Sequence, residues 1–152
     1  MKLGTRGRYA VMAVIDLAIQ EKELGQPVSL SAIAERQEIS LSYLEQLFSK
    51  LRHQKVLISV RGASGGYLLA RPPEHITVAD VVMAVDEPIH ATRCLPRSSR
   101  GCLKNGSRCQ VHHLWDALGN HIYHFLQTVT IADVCAKKFD PECLSLQQAK
   151  VG

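Results

Sequence analysis

Apolar positions along the chain follow a helical rhythm that is interrupted once by a strand rhythm. From Tyr9 to Gln20, Val11, Met12, Val14, Ile15, Leu17, Ala18 and Ile19 place apolar groups on most sides, which predicts a largely buried helix ended by Gly25, Gln26 and Pro27. A short helix is predicted over Leu30 to Gln37, with Ser29 as its cap and Ile33 and Ala34 facing inward. Glu38 and Ile39 make a tight turn. The next helix starts from Ser40 or Ser42 and runs to about His53 on Leu41, Leu44, Leu47, Phe48 and Leu51; Ser42-x-x-Glu45 has the form of a capping box. Val56 to Val60 is rich in β-branched residues, RGASGG at 61–66 reads as a turn, and Tyr67 to Leu69 as the return strand. After Arg71-Pro72-Pro73, Thr77 caps a helix through about Val85, with Asp80 at its third position. A longer helix over Val111 to Thr128 carries Leu114, Leu118, Ile122, Phe125, Leu126 and Val129 on one side. Thr130 then caps a last short helix to about Cys135.

The pattern predicts a mainly α fold with one small β-hairpin. Two short helices around a tight turn, the second polar and basic on its outer face, followed by a hairpin, form a winged helix-turn-helix. The predicted organisation is a winged DNA-binding domain over residues 1–85, a metal loop over 86–112, a dimerisation helix and short following helix over 111–135, and a flexible tail over 136–152. In such a head the second helix, Ser40 to His53, enters the major groove. Ser40, Ser42, Tyr43 and Gln46 lie in its leading half, and Lys50 and Arg52 follow. Glu45 can accept from cytosine N4 or close the capping box with Ser42, and the sequence leaves both readings open. Arg61 and Gly62 sit at the wing tip, suited to a narrow minor groove, and Arg6 and Arg8 can contact phosphate.

Charge strengthens this picture by its placement. The formal net charge is only +4. Yet Lys50, Arg52, Lys55, Arg61 and Arg71 form a run with no acidic residue between them, and Arg93, Arg97, Arg100, Lys104 and Arg108 form a second. One such run reads as a solvated face; two on candidate functional elements point to double-stranded DNA. No apolar run is long enough to span a bilayer and no leader is evident, so the expectation is a cytoplasmic protein without a membrane partner. No phosphate loop, paired catalytic carboxylates or Ser-His-Asp order argues for an enzyme.

Five cysteines in a chain without an export signal favour metal or redox chemistry over disulfides. Three fall in CLPRSSRGCLKNGSRCQVH, residues 94–112, with the pattern C-x7-C-x6-C-x2-H. This stretch has too few apolar residues to pack as core, so a metal or metal–sulfur cluster is expected to order it. Three cysteines and a histidine suit structural zinc or an iron–sulfur cluster, and spacing alone leaves the two open. His90, His113, His121 and His124 have no motif support, and Cys135 and Cys143 lie outside the pattern.

The segments MKLGTRGRYAVMAVIDLA, ISLSYLEQLFSKLR, VRGASGGYLLARP, AVDEPIHATRC and CQVHHLW together resemble the IscR family of winged-helix iron–sulfur cluster regulators, which also includes NsrR and RirA. The resemblance covers about residues 1–135. It implies a dimeric transcription factor, acting as a repressor of iron–sulfur assembly genes on a DNA operator. It further implies a 2Fe–2S cluster on Cys94, Cys102, Cys109 and His112, supplied by cluster-donating scaffold proteins. The intervals between the cysteines are seven and six residues here, where that family pattern has five and five. Longer spacing accompanies 4Fe–4S clusters among the nitric-oxide and iron sensors, which is the alternative within this class. A zinc or electron-carrying protein with a winged interaction module is the alternative outside it.

Overall fold

The computed structural model describes residues 4–87, 89, 91–92, 94 and 99–140. The first helix, α1 (Thr5–Leu24), begins four residues before the predicted start. Tertiary packing explains the extension: Gly7 is buried, and a Cβ there would meet Glu87 Cγ at 3.2 Å and Val82 Cγ1 at 3.4 Å. Packing against that distant segment makes a glycine-containing basic turn helical despite its weak propensity. The helix closes at Gly25, left-handed with φ 64°, whose N–H bonds to Glu21 O.

The next helix, α2 (Leu30–Gln37), starts as expected, with Ser29 Oγ accepting from the Ala32 N–H at 3.3 Å. It ends at Glu38, a non-glycine residue at φ 54°, with Ile39 N–H bonded to Ala34 O at 3.1 Å. This 6→1 closure buries Ile39 at the turn into α3 (Leu41–His53). Ser40 is the N-cap of α3 and makes no side-chain capping bond. Ser42 therefore lies inside the first turn, and the capping box read from Ser42 and Glu45 does not form. The reason is register: Ile39 sits in the core, so the helix begins two residues earlier than a Ser42 cap requires.

Strands β1 (Leu57–Val60) and β2 (Gly66–Leu69) pair antiparallel, with Leu57 opposite Leu69 and Val60 opposite Gly66. The hairpin is not solitary. Val28 and Tyr67 exchange both backbone bonds, at 3.0 and 2.8 Å. Gly66 permits that approach, since a Cβ there would lie 2.4 Å from Val28 O. Phe48 of α3, fully buried, meets the Tyr67 ring edge-on at 5.0 Å, which ties the second helix to the wing.

Beyond the wing come a 3-10 turn at Pro73–His75, then α4 (Val78–Ala84), α5 (His112–Thr128) and α6 (Ile131–Cys135). Thr77 and Thr130 face each other in a β-bridge. Val78 N–H bonds to Val129 O, and Ile131 N–H to Ile76 O, both at 2.8 Å. Each threonine also caps its own helix through a full capping box, Thr77 with Asp80 and Thr130 with Asp133. Among the described residues one continuous core runs through α1, α2, α3, the hairpin and α4, with Leu17, Ile33, Leu44, Leu47, Phe48, Leu51 and Val81 fully buried. No described helix is long and apolar enough to cross a membrane.

Candidate metal centre and nucleic-acid interface

The candidate metal centre lies where the loop meets the first residue of α5. His112 is buried, and its N–H bonds to Cys109 O at 3.1 Å. Its ring Nδ1 lies 3.3 Å from Cys94 Sγ and 3.2 Å from Cys102 Sγ, and the two sulfurs are 3.6 Å apart. Three of the four predicted ligands thus converge on one point. The fourth, Cys109, comes up against Cys102 with both its backbone N–H and its thiol. That N–H, together with hydrogen bonds from His112 and the flanking thiols, holds the Cys102 thiol down at about 6. Desolvation and the neighbouring Cys102 push the Cys94 thiol up. Cys102 is therefore the sulfur that is most readily a thiolate.

Soft sulfur donors with one imidazole fit iron or zinc. The triangle's edges of 3.2–3.6 Å are close to the ligand–ligand distances of about 3.5–3.8 Å that tetrahedral Zn–S and Zn–N bond lengths generate.

Beyond the donor groups, the described part of the loop is also held by its own hydrogen bonds. Gly101 N–H bonds to Gly106 O at 2.9 Å and Leu103 N–H to Ser107 O at 3.1 Å. Asn105 Oδ1 accepts from both the N–H and the hydroxyl of Ser107. Thr92 Oγ1 donates to Cys94 O at 2.8 Å, fixing the first cysteine from below. The Asn-Gly-Ser sequence at 105–107 is a turn signal the sequence reading did not use.

Of the residues outside the motif, His113, His121 and His124 are exposed on α5. Cys135 packs against the core, and burial raises its thiol pKa. His90, Cys143, Arg93, Arg97 and residues 141–152 of the expected tail lie outside the described residues.

On the head, Ser42, Glu45 and Gln46 are exposed on the outer face of α3, as is Ser40 at its cap. The Tyr43 ring is partly occupied, edge-on to Tyr9 at 6.0 Å. Arg6 and Arg8 are exposed on the first turn of α1. Arg61 and Gly62 are exposed at the wing tip, where Gly62 has a φ of 116° that favours glycine. Arg52 reaches Ser59 Oγ at 3.5 Å, and Lys50 Nζ contacts Asp86 Oδ2 at 2.7 Å. Arg71, part of the first basic run, is used internally: it donates to the carbonyls of His75 and Lys55 and to Asp80, bracing the wing's base.

Sequence reading missed a buttress behind the reading helix. Asp16, buried within α1, accepts from Arg36 Nε at 3.0 Å, Arg36 Nη2 at 2.7 Å and Gln37 Nε2 at 3.1 Å. It fixes α2 on α1, and α2 sets the seat of α3. A single acid inside an otherwise apolar helical run was the available signal, because a buried charge requires partners.

Known proteins of similar sequence are described as HTH-type transcriptional regulators. An HTH-type transcriptional regulator of Haemophilus influenzae is 50% identical over 138 residues, covering 91% of this chain and 89% of that protein. The HTH-type transcriptional regulator IscR of Photorhabdus laumondii is 48% identical over 134 residues, covering 88% of this chain and 79% of that protein. The solved structure of T. potens IscR superposes with a TM-score of 0.71 at 37% identity, over 90% of this chain and 88% of that one. A family described as iron-dependent transcriptional regulators, Rrf2, matches residues 3–137. With its winged head, its cysteine–histidine cluster and these matches across most of its length, the chain belongs to the Rrf2 family of transcriptional regulators, which are DNA-binding proteins and not enzymes.

Proposed function

We propose that this regulator is a cytoplasmic homodimer that binds an operator in double-stranded DNA and represses iron–sulfur assembly genes according to cluster supply. The observation that carries the reading is the convergence of Cys94, Cys102 and His112 in a chain that also bears a winged head. Cys94, Cys102, Cys109 and His112 would hold a 2Fe–2S cluster, whose loading by scaffold proteins makes occupancy a measure of iron and sulfide supply. A histidine among thiolates gives the site one protonatable, more easily displaced ligand, which suits a site that must empty when supply falls.

The protein's own residues do the reading. Ser42, Glu45 and Gln46 face outward on α3, where they address base edges; Glu45 accepts from cytosine N4 and repels phosphate elsewhere, so it sharpens choice by penalty. Arg61 and Gly62 present the wing to the minor groove, while Arg6, Arg8, Lys50 and Arg52 supply phosphate contacts. The exposed apolar side chains of α5, Leu114, Trp115 and Phe125, are the surface on which a second copy would pack, giving the two-fold spacing that paired half-sites require.

A second reading has its own support. The compact triangle of ligand atoms matches a single tetrahedral ion, so zinc at the same residues would keep the DNA-binding head and remove cluster sensing. Anaerobic purification with iron, sulfide and zinc analysis decides between them, on wild type, Cys102→Ala and His112→Ala. Two irons and two sulfides per chain, lost or labile in both variants, are expected. One zinc per colourless chain overturns the cluster reading, and four irons move the protein to the nitric-oxide or iron-responsive alternative.

A further inference from the structure

Asp86 stands where the DNA-reading helix and the root of the metal loop meet. Its backbone closes α4: Asp86 N–H bonds to Met83 O at 3.1 Å and Glu87 N–H to Val82 O at 3.4 Å, and Asp86 itself is left-handed, with φ 55°. The position of its carboxylate is therefore set by the last turn of α4. From there Oδ2 takes Lys50 Nζ at 2.7 Å, across from α3. Arg6, on the first turn of α1, adds a second positive field at the same carboxylate. The next residue, Glu87, grips that same turn of α1. A Cβ on Gly4 would fall 2.0 Å from Glu87 Oε1, so the carboxylate occupies the space a side chain would need. Two cations placed to meet DNA phosphate thus share one protein anion, and that anion leads directly into the segment bearing Cys94.

A physical path also joins Asp86 to the metal centre. The helix α4 packs against both α3 and α5, and α5 opens with His112, whose ring touches Cys94 and Cys102. Both partners of the Lys50–Asp86 pair keep solvent access, with side-chain exposures of 40% and 72%. An exposed pair of this kind is weak and exchangeable, so an arriving phosphate can compete for the ammonium.

We propose that Asp86 acts as an internal stand-in for DNA phosphate, holding Lys50 back from the duplex, and that its place at the root of the metal loop couples the state of the metal centre to DNA affinity. The inference rests on the DNA-binding reading given above and adds to it the residue through which the metal site acts. When α4 keeps Asp86 on Lys50, one phosphate contact is unavailable; when its last turn shifts, Lys50 is released. No base-reading residue has to move, so the device tunes affinity and leaves sequence preference in place.

The test uses the full chain, anaerobically loaded and chelator-stripped, with a fluorescent 30-base-pair duplex of random sequence titrated across a range of salt. Asp86→Asn is the informative variant, because asparagine tolerates the left-handed backbone while removing the charge. It is expected to bind the duplex several-fold more tightly at low salt, with a slope of log K against log salt steeper by about one. Lys50→Gln alone should change binding little in the state that holds Lys50, and should weaken binding and flatten the slope by about one in the Asp86→Asn background, where Lys50 is released. In the Lys50→Gln background Asp86→Asn should have no effect, and in the single Asp86→Asn variant the ratio of loaded to stripped affinity should fall toward one. Equal gains from Asp86→Asn with and without Lys50 overturn the ion-pair route, since the effect is then long-range charge alone. A loaded-to-stripped ratio that is one in wild type, or unchanged in Asp86→Asn, overturns the coupling. Wild-type protein with no salt-dependent binding sinks the DNA-binding reading and the inference together, whereas wild-type binding that Asp86→Asn leaves untouched sinks the inference alone. Thermal melts of each variant show whether it is folded.

Discussion

In the head, α3 is thirteen residues long and buries Leu44, Leu47, Phe48 and Leu51. In the arm, α5 is seventeen residues long and buries only His112 and Gly119. The first helix is held by apolar surface removed from water on one face, the ordinary source of helix stability in a folded domain. The second is held at its ends, by the metal-site contacts of His112 and by the bridge beside Thr130, with Leu114, Trp115 and Phe125 left in solvent. An exposed apolar row on a helix restrained at its ends is what an association surface looks like before its partner arrives. The head is packed within one chain, whereas the arm leaves an apolar row exposed and three ligand-type side chains gathered at its start.

The comparison breaks most visibly at Phe48. Replacing it with alanine removes a fully buried ring that links α3 to Tyr67 of the wing. The expected loss is about 3–5 kcal/mol in denaturant unfolding, the same at every protein concentration. Leu114→Ala makes a similar chemical change in the arm and should behave differently: the cost should grow with protein concentration, and sedimentation equilibrium should shift toward monomer. A concentration-independent loss as large as that of Phe48→Ala would place Leu114 in a core and end the distinction. The smallest effect is expected at Glu38, left-handed at φ 54° and exposed. Glu38→Gly relieves that conformation against glycine's greater chain entropy, for a net gain of about 0.5 kcal/mol, read as a small rise in the unfolding midpoint.

Much of the head was legible because its signals are local. Ser29 and Thr77 cap where predicted, the glycine turn makes the wing, and the apolar period of α3 names its buried side chains. The early start of α1 was not legible, since its cause is Val82 and Glu87, far along the chain. The helix ends near Glu38, Lys55, Asp86 and Lys137 were legible, but the backbone conformation that closes them was not. All four are left-handed at φ 54–57°, yet charged residues give no warning of a conformation that glycine usually announces. At the candidate metal centre, residue type and pattern picked out Cys94, Cys102 and His112, which the structure brings together. The support beneath them, Thr92 and Asn105, depends on hydrogen bonds whose partners no periodicity marks. The same holds for Asp86, which reads as a helix terminator in the sequence and holds Lys50 in the structure.

The bridge between Thr77 and Thr130 also governs how this molecule can vary through its history. It fastens both ends of everything from Val78 to Val129, so the metal loop and α5 form a closed excursion from the head. Closing such an excursion costs entropy that grows only with the logarithm of its length, about 0.6 kcal/mol per doubling. Residues gained or lost between Cys94 and Cys109 therefore leave the head's folding almost untouched. Intervals such as the seven and six residues found here can change at little cost. The arm can change in length and ligand spacing while the packing of the head is left in place.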